Sequence, residues 1–294
     1  MDKQEQQHQV AEYWNAAPCD SDKSQSPHDS ESYYREIERE RYSHQSHILE
    51  ILEWVDWKNK SVLEIGTGVG TDARQLIARG ASYNGINVDE GSTEATRRAL
   101  RTFNLAGQVS VMSATDMHFE SGTFDNIYSF GVLHHIPDVA AAISEIERVL
   151  KPGGFLLFMV YNRSSINYQV EIRHLRRWML RALSLPGMIP LLSKLGLPRE
   201  KLSRHAELYK RFGKLSESEW LSRNTDGPDN PYSVVYGRDD IQGLLGGSFL
   251  ILRNEVRYFD WRHWGLIGRI LSTKARDWLG HRWGWHRIVL ARRK

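Results

Sequence analysis

The chain has 294 residues, 40% of them hydrophobic and 26% charged, which is the composition of a globular protein able to bury a large core. Its one cysteine, Cys19, excludes an internal disulfide and a cysteine-cluster metal site. The formal charge of +3 conceals an asymmetry: residues 1–160 carry 14 Lys and Arg against 24 Asp and Glu, whereas residues 161–294 carry 25 against 12. No apolar run reaches the length of a membrane span, and the polar residues 1–9 do not resemble a signal peptide, so we expect a cytoplasmic protein.

Residues 1–60 are an N-terminal extension that we expect to pack on a core domain as a helical cap. A loop rich in Ser, Asp and Pro runs from Ala17 to about Ser30, and a helical stretch follows from Glu31 to about Trp54. Apolar side chains and Arg41 recur along this stretch at roughly helical spacing. Two interpretations remain open, ordinary packing and a lid that closes over a ligand.

The clearest local pattern is Val62-Leu63-Glu64-Ile65-Gly66-Thr67-Gly68-Val69-Gly70-Thr71-Asp72. A short apolar run ends in an acidic residue, three glycines follow at alternate positions, and an amphipathic stretch from Asp72 to Arg79 stops at Gly80. This pattern predicts a strand, a tight turn and a helix. Glycine suits the turn because the chain reverses sharply and because a ligand can approach the backbone without meeting a Cβ. Similar turns also join strands and helices that bind nothing.

Predicted strands and helices alternate from Ser61 to Asn162. After the glycine turn they are a strand at 83–88, a helix at about 90–103, strands at 108–113 and 124–130, a helix at 139–150 and a strand at 155–161. Lys151-Pro152-Gly153-Gly154 ends the last helix, because proline cannot continue it and glycine accepts the left-handed turn. Apolar strands separated by helices predict an α/β fold, a doubly wound and mostly parallel sheet that binds ligands at the carboxyl ends of its strands.

Four ordered motifs carry a resemblance to a known family. They are the glycine motif, a second strand ending 23 residues after Glu64, the run Phe-Asp-x-Ile-Tyr-Ser-Phe-Gly-Val-Leu-His-His-Ile-Pro-Asp at 124–138, and Glu-x-x-Arg-Val-Leu-Lys-Pro-Gly-Gly at 145–154. Together they resemble the class I S-adenosylmethionine-dependent methyltransferases, in the small-molecule, methyltransferase type 11-like branch. The resemblance implies a Rossmann-like, seven-stranded sheet, with residues 61–162 as the core that binds S-adenosyl-L-methionine.

Residues 163–235 interrupt the alternation with helical segments. A basic amphipathic helix is predicted from Ile172 to Leu185, an apolar stretch from Pro186 to Leu197, and a charged helix from Pro198 to about Lys214. In the family such an insertion usually builds the substrate pocket. The other interpretations are a solvated helix pair with ordinary packing and a peripheral contact with an anionic membrane surface.

Residues 236–294 are predicted to complete the core sheet. A helix opens at Gly237-Arg238-Asp239-Asp240, with Asp where the helix dipole favours it. Phe249 to Phe259 is the sixth predicted strand, and residues 285–291 are the seventh, which the resemblance places antiparallel between the fifth and sixth. Between them, residues 261–283 form a second insertion, rich in Trp and Arg.

The resemblance also implies which residues bind the cofactor. The turn from Gly66 to Gly70 would lie against its methionine part, Glu64 would support the loop or the ammonium group through water, and Arg41 would pair with the carboxylate. Two positions depart from the family pattern: Asn87 replaces the acidic residue that takes the ribose hydroxyls, and Ser113 replaces an Asp that often meets the adenine amine. The full predicted set is Tyr13, Arg41, Glu64, Gly66, Thr67, Gly68, Gly70, Asp72, Asn87, Ser113, Ala114 and Phe130.

An amide at position 87 still accepts a hydrogen bond but lacks the charge assistance of a carboxylate. Asp89 is two residues further on, and because it directly precedes the second helix we predict that it is a helix N-cap rather than a substitute.

Methyl transfer is an in-line displacement at a sulfonium carbon, so a protein mainly has to align the nucleophile. An acceptor less acidic than a phenol, carboxylate or thiolate also needs a base. His134 and His135 follow the fourth strand and fall within the expected cleft, with one predicted to face it and the other to pack against the sheet. Tyr161, which ends the fifth strand, completes the candidate catalytic set.

Three functions remain open at this point. We favour methyl transfer to a small molecule. The basic, Trp-rich second half prompts a nucleic-acid methyltransferase instead, but the chain lacks the Asn/Asp-Pro-Pro-Tyr signature of base amino methylation. The departures at Asn87 and Ser113 leave a non-catalytic cofactor-binding or scaffold protein as the third.

Overall fold

The computed structural model describes residues 2–194, 196–211 and 215–294. Within these residues, seven strands form one sheet: β1 (Ser61–Ile65), β2 (Ser82–Asn87), β3 (Gln108–Val111), β4 (Phe124–Phe130), β5 (Leu150–Tyr161), β6 (Phe249–Arg257) and β7 (His286–Arg293). Their order is β3-β2-β1-β4-β5-β7-β6. Strand β7 is antiparallel to both of its neighbours and the other pairs are parallel. The predicted Rossmann-like α/β fold is confirmed, including the antiparallel seventh strand between the fifth and sixth.

The α-helices follow the chain around this sheet. They are α1 (Lys3–Ala16), α2 (Glu31–His44), α3 (His47–Leu52), α4 (Thr71–Ala78), α5 (Glu90–Thr102), α6 (Val139–Val149), α7 (Arg176–Leu183), α8 (Met188–Lys194), α9 (Arg199–Arg211), α10 (Glu217–Ser222), α11 (Arg238–Leu245), α12 (Gly265–Ile270) and α13 (Thr273–Trp283). A π-helical segment, Asn167–Leu175, leads into α7, and short 3-10 turns cover Leu133–His135 and Trp261–Trp264. No helix in the described ranges is both long and apolar enough to cross a membrane.

The two faces of the sheet bury separate apolar clusters because side chains alternate along each strand. On one face Leu63 of β1 packs with Ile143 and Ile146 of α6. On the other face Val62 packs in a cluster with Leu76 of α4. Burying a side chain of this size stabilises the fold by roughly 1.5–3 kcal/mol. The strands are therefore packed on both faces of the sheet.

The N-terminal cap differs from its prediction at two points. Helix α1 is not predicted from the sequence, because it is polar on nearly every side and buries only Val10 within the helix. The predicted helix from Glu31 to Trp54 is interrupted at Gln45, which ends α2 in a non-helical conformation, and α3 ends at Leu52.

Strand β5 begins five residues earlier than predicted. The helix before it ends at Val149, one residue before the predicted end, and Leu150 already pairs with Phe124 of β4. Residues 151–154, which were expected to stop the helix, are part of the strand. Gly153 has a φ of +79°, so the chain bends there within the strand instead of leaving the sheet.

The insertion is more divided than predicted. Its helices are the π-helical segment with α7, then α8, α9 and α10, where the sequence suggested only two helices around an apolar stretch. The predicted end of the second helix, at Lys214, lies outside the described residues.

Candidate active site

A cavity of about 960 Å³ opens at the carboxyl ends of the parallel strands. The residues that end four strands line it: Ile65, Asn87, Phe130 and Tyr161. The N-terminal cap and the insertion form its other walls. Because ligand pockets typically measure roughly 300–1,000 Å³, this one is large enough for two small molecules side by side.

Most predicted site residues line this cavity. Among the cofactor-binding candidates, only Gly70 and Ser113 are outside its described lining. Of the catalytic candidates, His135 and Tyr161 line the cavity and His134 does not.

The three glycines of the turn all have positive φ, +77° at Gly66, +54° at Gly68 and +77° at Gly70. A Cβ at Gly66 would lie 2.2 Å from Val132 Cγ2, and one at Gly70 would lie 3.1 Å from Thr96 Cγ2, so both glycines allow close packing inside the protein. A Cβ at Gly68 would meet nothing nearer than Cys19 Cβ, at 3.5 Å. Gly68 is therefore the glycine whose absent side chain leaves space on the cavity side.

Asn87 braces the glycine turn. Its Oδ1 accepts from the Thr67 N–H at 2.7 Å, and its Nδ2 donates to Thr67 Oγ1 at 2.8 Å. The directions of the next hydrogen bonds are fixed. Thr96 Oγ1 donates its proton to Gly68 O at 3.0 Å, so in the 2.6 Å contact between the two threonine hydroxyls Thr67 is the donor and Thr96 the acceptor. Having donated its only proton, Thr67 Oγ1 can only accept from residue 87. An amide supplies the donor that this requires and a carboxylate cannot, which is a structural reason for Asn at this position.

Asp89 is the N-cap of α5, as predicted, since its carboxylate accepts from the Ser92 N–H at 2.7 Å. It also lines the cavity, beside Asn87. On the adenine side predicted from the resemblance, Ala114 lines the cavity while Ser113 Oγ lies 2.8 Å from Thr115 Oγ1, within its own turn.

A buried ion pair joins the cap to the core beside the turn. Arg41 Nε and Nη2 donate to the two Asp72 carboxylate oxygens at 3.1 and 2.7 Å, and Nη1 donates to Asp20 at 3.1 Å. Burial alone raises the pKa of Asp72, but Arg41 and the hydroxyls of Tyr42 and Tyr128 outweigh it and hold that pKa below its ordinary value. Pairing of Arg41 with a cofactor carboxylate stays a prediction, and it would have to use donors that these bonds leave over.

Glu64 is a buried carboxyl group on the cavity wall. Its Oε2 accepts from the Tyr83 hydroxyl at 2.5 Å. Burial, with Asp72 nearby, raises the pKa of Glu64 to about 8. A cation placed in the cavity would favour the ionised carboxylate and would be favoured by it in turn.

The opposite side of the cavity brings together a histidine, a tyrosine and a loop aspartate. Tyr161 donates to Asp226 Oδ1 at 2.5 Å, and His135 Nε2 lies 3.5 Å from Asp226 Oδ2. His135 Nδ1 donates to the Tyr232 carbonyl at 2.7 Å. Since a carbonyl only accepts, Nδ1 carries the proton, and in the neutral ring Nε2 holds the lone pair. His135 can therefore accept a proton at Nε2, where Asp226 would stabilise the resulting charge.

His134 has a different environment. It is fully buried, its ring lies 3.7 Å from the Tyr161 ring between centroids, and neither ring nitrogen has a hydrogen-bond partner in the described residues. Burial, with His135 and His286 close by, lowers the pKa of His134 well below its usual value. The expectation that one histidine faces the cleft while the other packs inside agrees with this arrangement.

The N-terminal helix closes over this cluster. The Tyr13 hydroxyl donates to the Asp226 carbonyl at 2.7 Å, and the Trp14 ring packs edge-on against His135 at 5.3 Å. Burial and the Asp226 carboxylate raise the pKa of Tyr13 to about 12, so its hydroxyl stays protonated and remains a donor. Cap and insertion thus meet directly above the cavity.

Sequence reasoning missed Asp226. The sequence places it in a Gly- and Pro-rich loop, Asp226-Gly227-Pro228-Asp229-Asn230-Pro231, and such loops are usually read as turns. The only signal was an acidic residue in an insertion already suspected of covering the substrate.

Comparison with known proteins agrees with this architecture. Residues 63–158 match the family described as a methyltransferase domain. The chain is 30% identical over 126 residues to a ubiquinone biosynthesis O-methyltransferase of Thiobacillus denitrificans, covering 41% of this chain and 54% of that protein. It is 32% identical over 123 residues to the sterol 4-C-methyltransferase strm-1 of Caenorhabditis elegans, covering 41% and 36%. The chain thus covers 54% of the length of the first relative and 36% of the second.

Similarity to solved structures extends along the whole chain. The magnesium protoporphyrin IX methyltransferase of Synechocystis PCC 6803, solved with bound SAH, superposes with a TM-score of 0.55 over 98% of this chain and all of that one. The sequence identity is 15%, so this likeness establishes the fold.

Proposed function

We propose that the protein is a class I S-adenosylmethionine-dependent methyltransferase, which transfers a methyl group from S-adenosylmethionine to a small molecule bound in the same cavity. Residues 63–158 match the family described as a methyltransferase domain, which supports this proposal. The observation that carries the proposal is that one cavity joins the glycine turn at Gly68 to the cluster of His135, Tyr161 and Asp226. The names of the relatives, which concern ubiquinone, sterol and porphyrin metabolism, support a small acceptor.

The residues present fit this cofactor, which carries a carboxylate, an ammonium group and a sulfonium. Gly68 lines the cavity and has no tight contact at its Cβ position, so a ligand can approach the backbone there. Thr71 Oγ1, at the start of α4, is buried, lines the cavity and has no hydrogen-bond partner among the described residues. A helix start attracts anions and Glu64 attracts cations, so the carboxylate and the ammonium group of the cofactor each find a complement.

When bound, the cofactor would supply an electrophilic methyl carbon, which the acceptor atom attacks in line while the carbon–sulfur bond breaks and S-adenosylhomocysteine leaves. The protein aligns that atom, and orientation of this kind can contribute roughly 7–11 kcal/mol. His135 takes the acceptor's proton at Nε2, and Asp226 stabilises the imidazolium that forms. Tyr161 holds the Asp226 carboxylate in place, and Tyr13 and Trp14 keep bulk water out from above.

The test is calorimetric titration of the purified protein with S-adenosylmethionine and with S-adenosylhomocysteine. We expect micromolar binding that Gly68→Arg abolishes, because the new side chain would enter the space beside the turn. Asp226→Asn is the matched control: it lies on the acceptor side, so cofactor affinity should stay within about threefold, or roughly 0.6 kcal/mol.

Failure of the folded, unmodified protein to bind either ligand would contradict the proposal and favour the scaffold function. If binding is found, hydroxylated small molecules are screened for S-adenosylhomocysteine release. Any transfer detected should be lost in both Asp226→Asn and His135→Gln, and its persistence would remove the base from the mechanism.

A further inference from the structure

Helix α7 and the segment before it expose an apolar face away from the core. Leu180 and Leu183 are buried on one side of α7. On another side Leu175, Trp178 and Met179 are 48%, 70% and 45% exposed. These three positions follow helical spacing and lie on one face. Helix α7 is thus apolar on two sides, and no described residue covers one of them, which is unusual for a surface helix.

The exposed face continues into the next helix. Leu185, just after α7, is 57% exposed, and Leu191 in α8 is 53% exposed. Helix α8 contacts α7 directly. We call Leu175, Trp178, Met179, Leu185 and Leu191 together the α7–α8 surface. Clusters of large exposed apolar side chains of this kind mark interaction sites.

The net charge of the segment that carries this surface indicates its partner. Residues 167–211 carry ten Lys and Arg against three Asp and Glu. Exposed His174 and Arg181 lie on α7 and the segment before it, next to the apolar side chains. Trp and Leu beside Arg and Lys on one helical segment are typical of helices that lie in the interface of an anionic bilayer. A symmetric contact with a second copy would bring like charges together, which opposes that alternative.

The cavity reaches the same surface. Met179 both belongs to the α7–α8 surface and lines the cavity, and Arg176 of the same helix lines it too. A bilayer in contact with the α7–α8 surface would therefore lie beside the part of the cavity wall that Met179 forms.

We propose that the α7–α8 surface docks the protein on an anionic lipid bilayer, with Trp178 inserted at the interface and the surrounding Arg and Lys paired with lipid headgroups. This inference does not depend on methyl transfer. It concerns a reversible surface contact, which one helix of this kind supports by apolar burial and electrostatic attraction.

The test is co-sedimentation of the full-length protein with large unilamellar vesicles. Phosphatidylcholine vesicles are compared with vesicles of equal parts phosphatidylcholine and phosphatidylglycerol. We expect binding to the phosphatidylglycerol vesicles that falls at least tenfold in Trp178→Glu and several-fold in 0.5 M NaCl, because salt screens the headgroup attraction. Leu250→Glu is the matched control, since it makes the same charge change at a 45% exposed leucine of β6 and should keep full binding.

The outcomes are distinct. Absence of binding to phosphatidylglycerol vesicles overturns the proposal, as does equal binding to both vesicle types or unchanged binding of Trp178→Glu. The alternative occupant, a second copy of this chain, is tested by light scattering on the same protein variants without vesicles. A dimer that Trp178→Glu converts to a monomer would assign the surface to self-association and overturn the proposal. Cofactor titration of Trp178→Glu separates this result from the proposed function, because docking can fail while cofactor binding persists.

Discussion

Three glycines share one turn in this protein, and they are required for two different reasons. Gly66 accommodates Val132, Gly70 accommodates Thr96 on α5, and Gly68 leaves space towards the cavity. The sequence motif predicts that the turn needs glycine, but it cannot distinguish these reasons, because they depend on what residues distant in sequence place opposite each Cβ.

Gly66→Ala is predicted to destabilise the fold severely. The new Cβ would come within 2.2 Å of a β-branched side chain with little freedom to move, at a φ of +77°. Left-handed strain of about 1–2 kcal/mol and overpacking of about 1–3 kcal/mol should together lower the free energy of unfolding by about 2–5 kcal/mol. Urea denaturation measures this.

The control for that experiment is Gly122→Ala. Gly122 has a φ of +67°, and no heavy atom of the described residues lies within 4 Å of the position that a Cβ would take there. Only the backbone strain of about 1–2 kcal/mol therefore applies. Equal losses in the two variants would show that Val132 relaxes and that close packing is not the reason for Gly66.

Helix α2 is fastened to α4 through the Arg41–Asp72 pair, whose side chains are 13% and 5% exposed. Removing one member of a buried pair leaves an uncompensated charge, which typically costs about 3–5 kcal/mol. We therefore expect Arg41→Ala to lower the free energy of unfolding by about 3–5 kcal/mol in urea denaturation.

An exposed pair on the same helix provides the comparison. Arg35 and Glu31 are 59% and 57% exposed at i,i+4 spacing, and the Arg35 guanidinium also lies over the Phe103 ring, so Arg35→Ala should cost at most about 1.5 kcal/mol. A similarly small loss for Arg41→Ala would mean that Asp72 takes up a proton or water and that the cap is not anchored there.

The elements of the core were predictable because each carries its own periodicity. All strands from β1 to β7 were placed within a few residues, apart from the early start of β5. The elements that were missed, such as α1 and α10, have weak or short patterns, and α1 is fixed by contacts distant in sequence, including its Asn15 side chain, which accepts from the Gly91 N–H at 2.8 Å. A single-sequence pattern does not encode such contacts.

The candidate site also contains residues that the sequence can identify and one that it cannot. Tyr161, at the end of a strand, can be named from topology, because the carboxyl ends of parallel strands converge, and Asn87 can be named from the resemblance. Asp226 reaches the cavity from a loop 65 residues after Tyr161, and only the packing of the insertion determines that approach. The distribution of charge between the two halves of the chain was already visible in the sequence, and the basic half contains the α7–α8 surface.

Buried titratable groups make the stability of the molecule depend on pH in two opposite ways. Burial and neighbouring cations lower the pKa of His47 to about 3 and lower those of His134 and His286 well below their usual range. Unfolded histidine titrates near 6.5, so below that pH the unfolded state binds more protons and stability falls as the pH is lowered. Glu64 acts in the other direction.

The pKa of Glu64 is about 8 in the fold against an ordinary 4.5, so between these values the folded state holds one more proton and stability falls as the pH rises. From pH 4.5 to 6.5 the three histidines outweigh this single carboxyl group, and from 6.5 to 8 Glu64 acts without them. We therefore predict that the free energy of unfolding is greatest near pH 6.5. It should then decline towards pH 8 by at most about 1.4 kcal/mol per pH unit.

Urea denaturation at pH 5.0, 6.5 and 8.0 tests this profile. Glu64→Gln keeps an acceptor for the Tyr83 hydroxyl but cannot ionise, so it should remove the decline between pH 6.5 and 8.0 and leave the acid side unchanged. Glu53→Gln, at a carboxylate that pairs with Arg79 on the surface, should keep the profile of the unmodified protein. A wild-type stability that continues to rise up to pH 8 would show that Glu64 is ionised in the fold, with a compensating cation beside it.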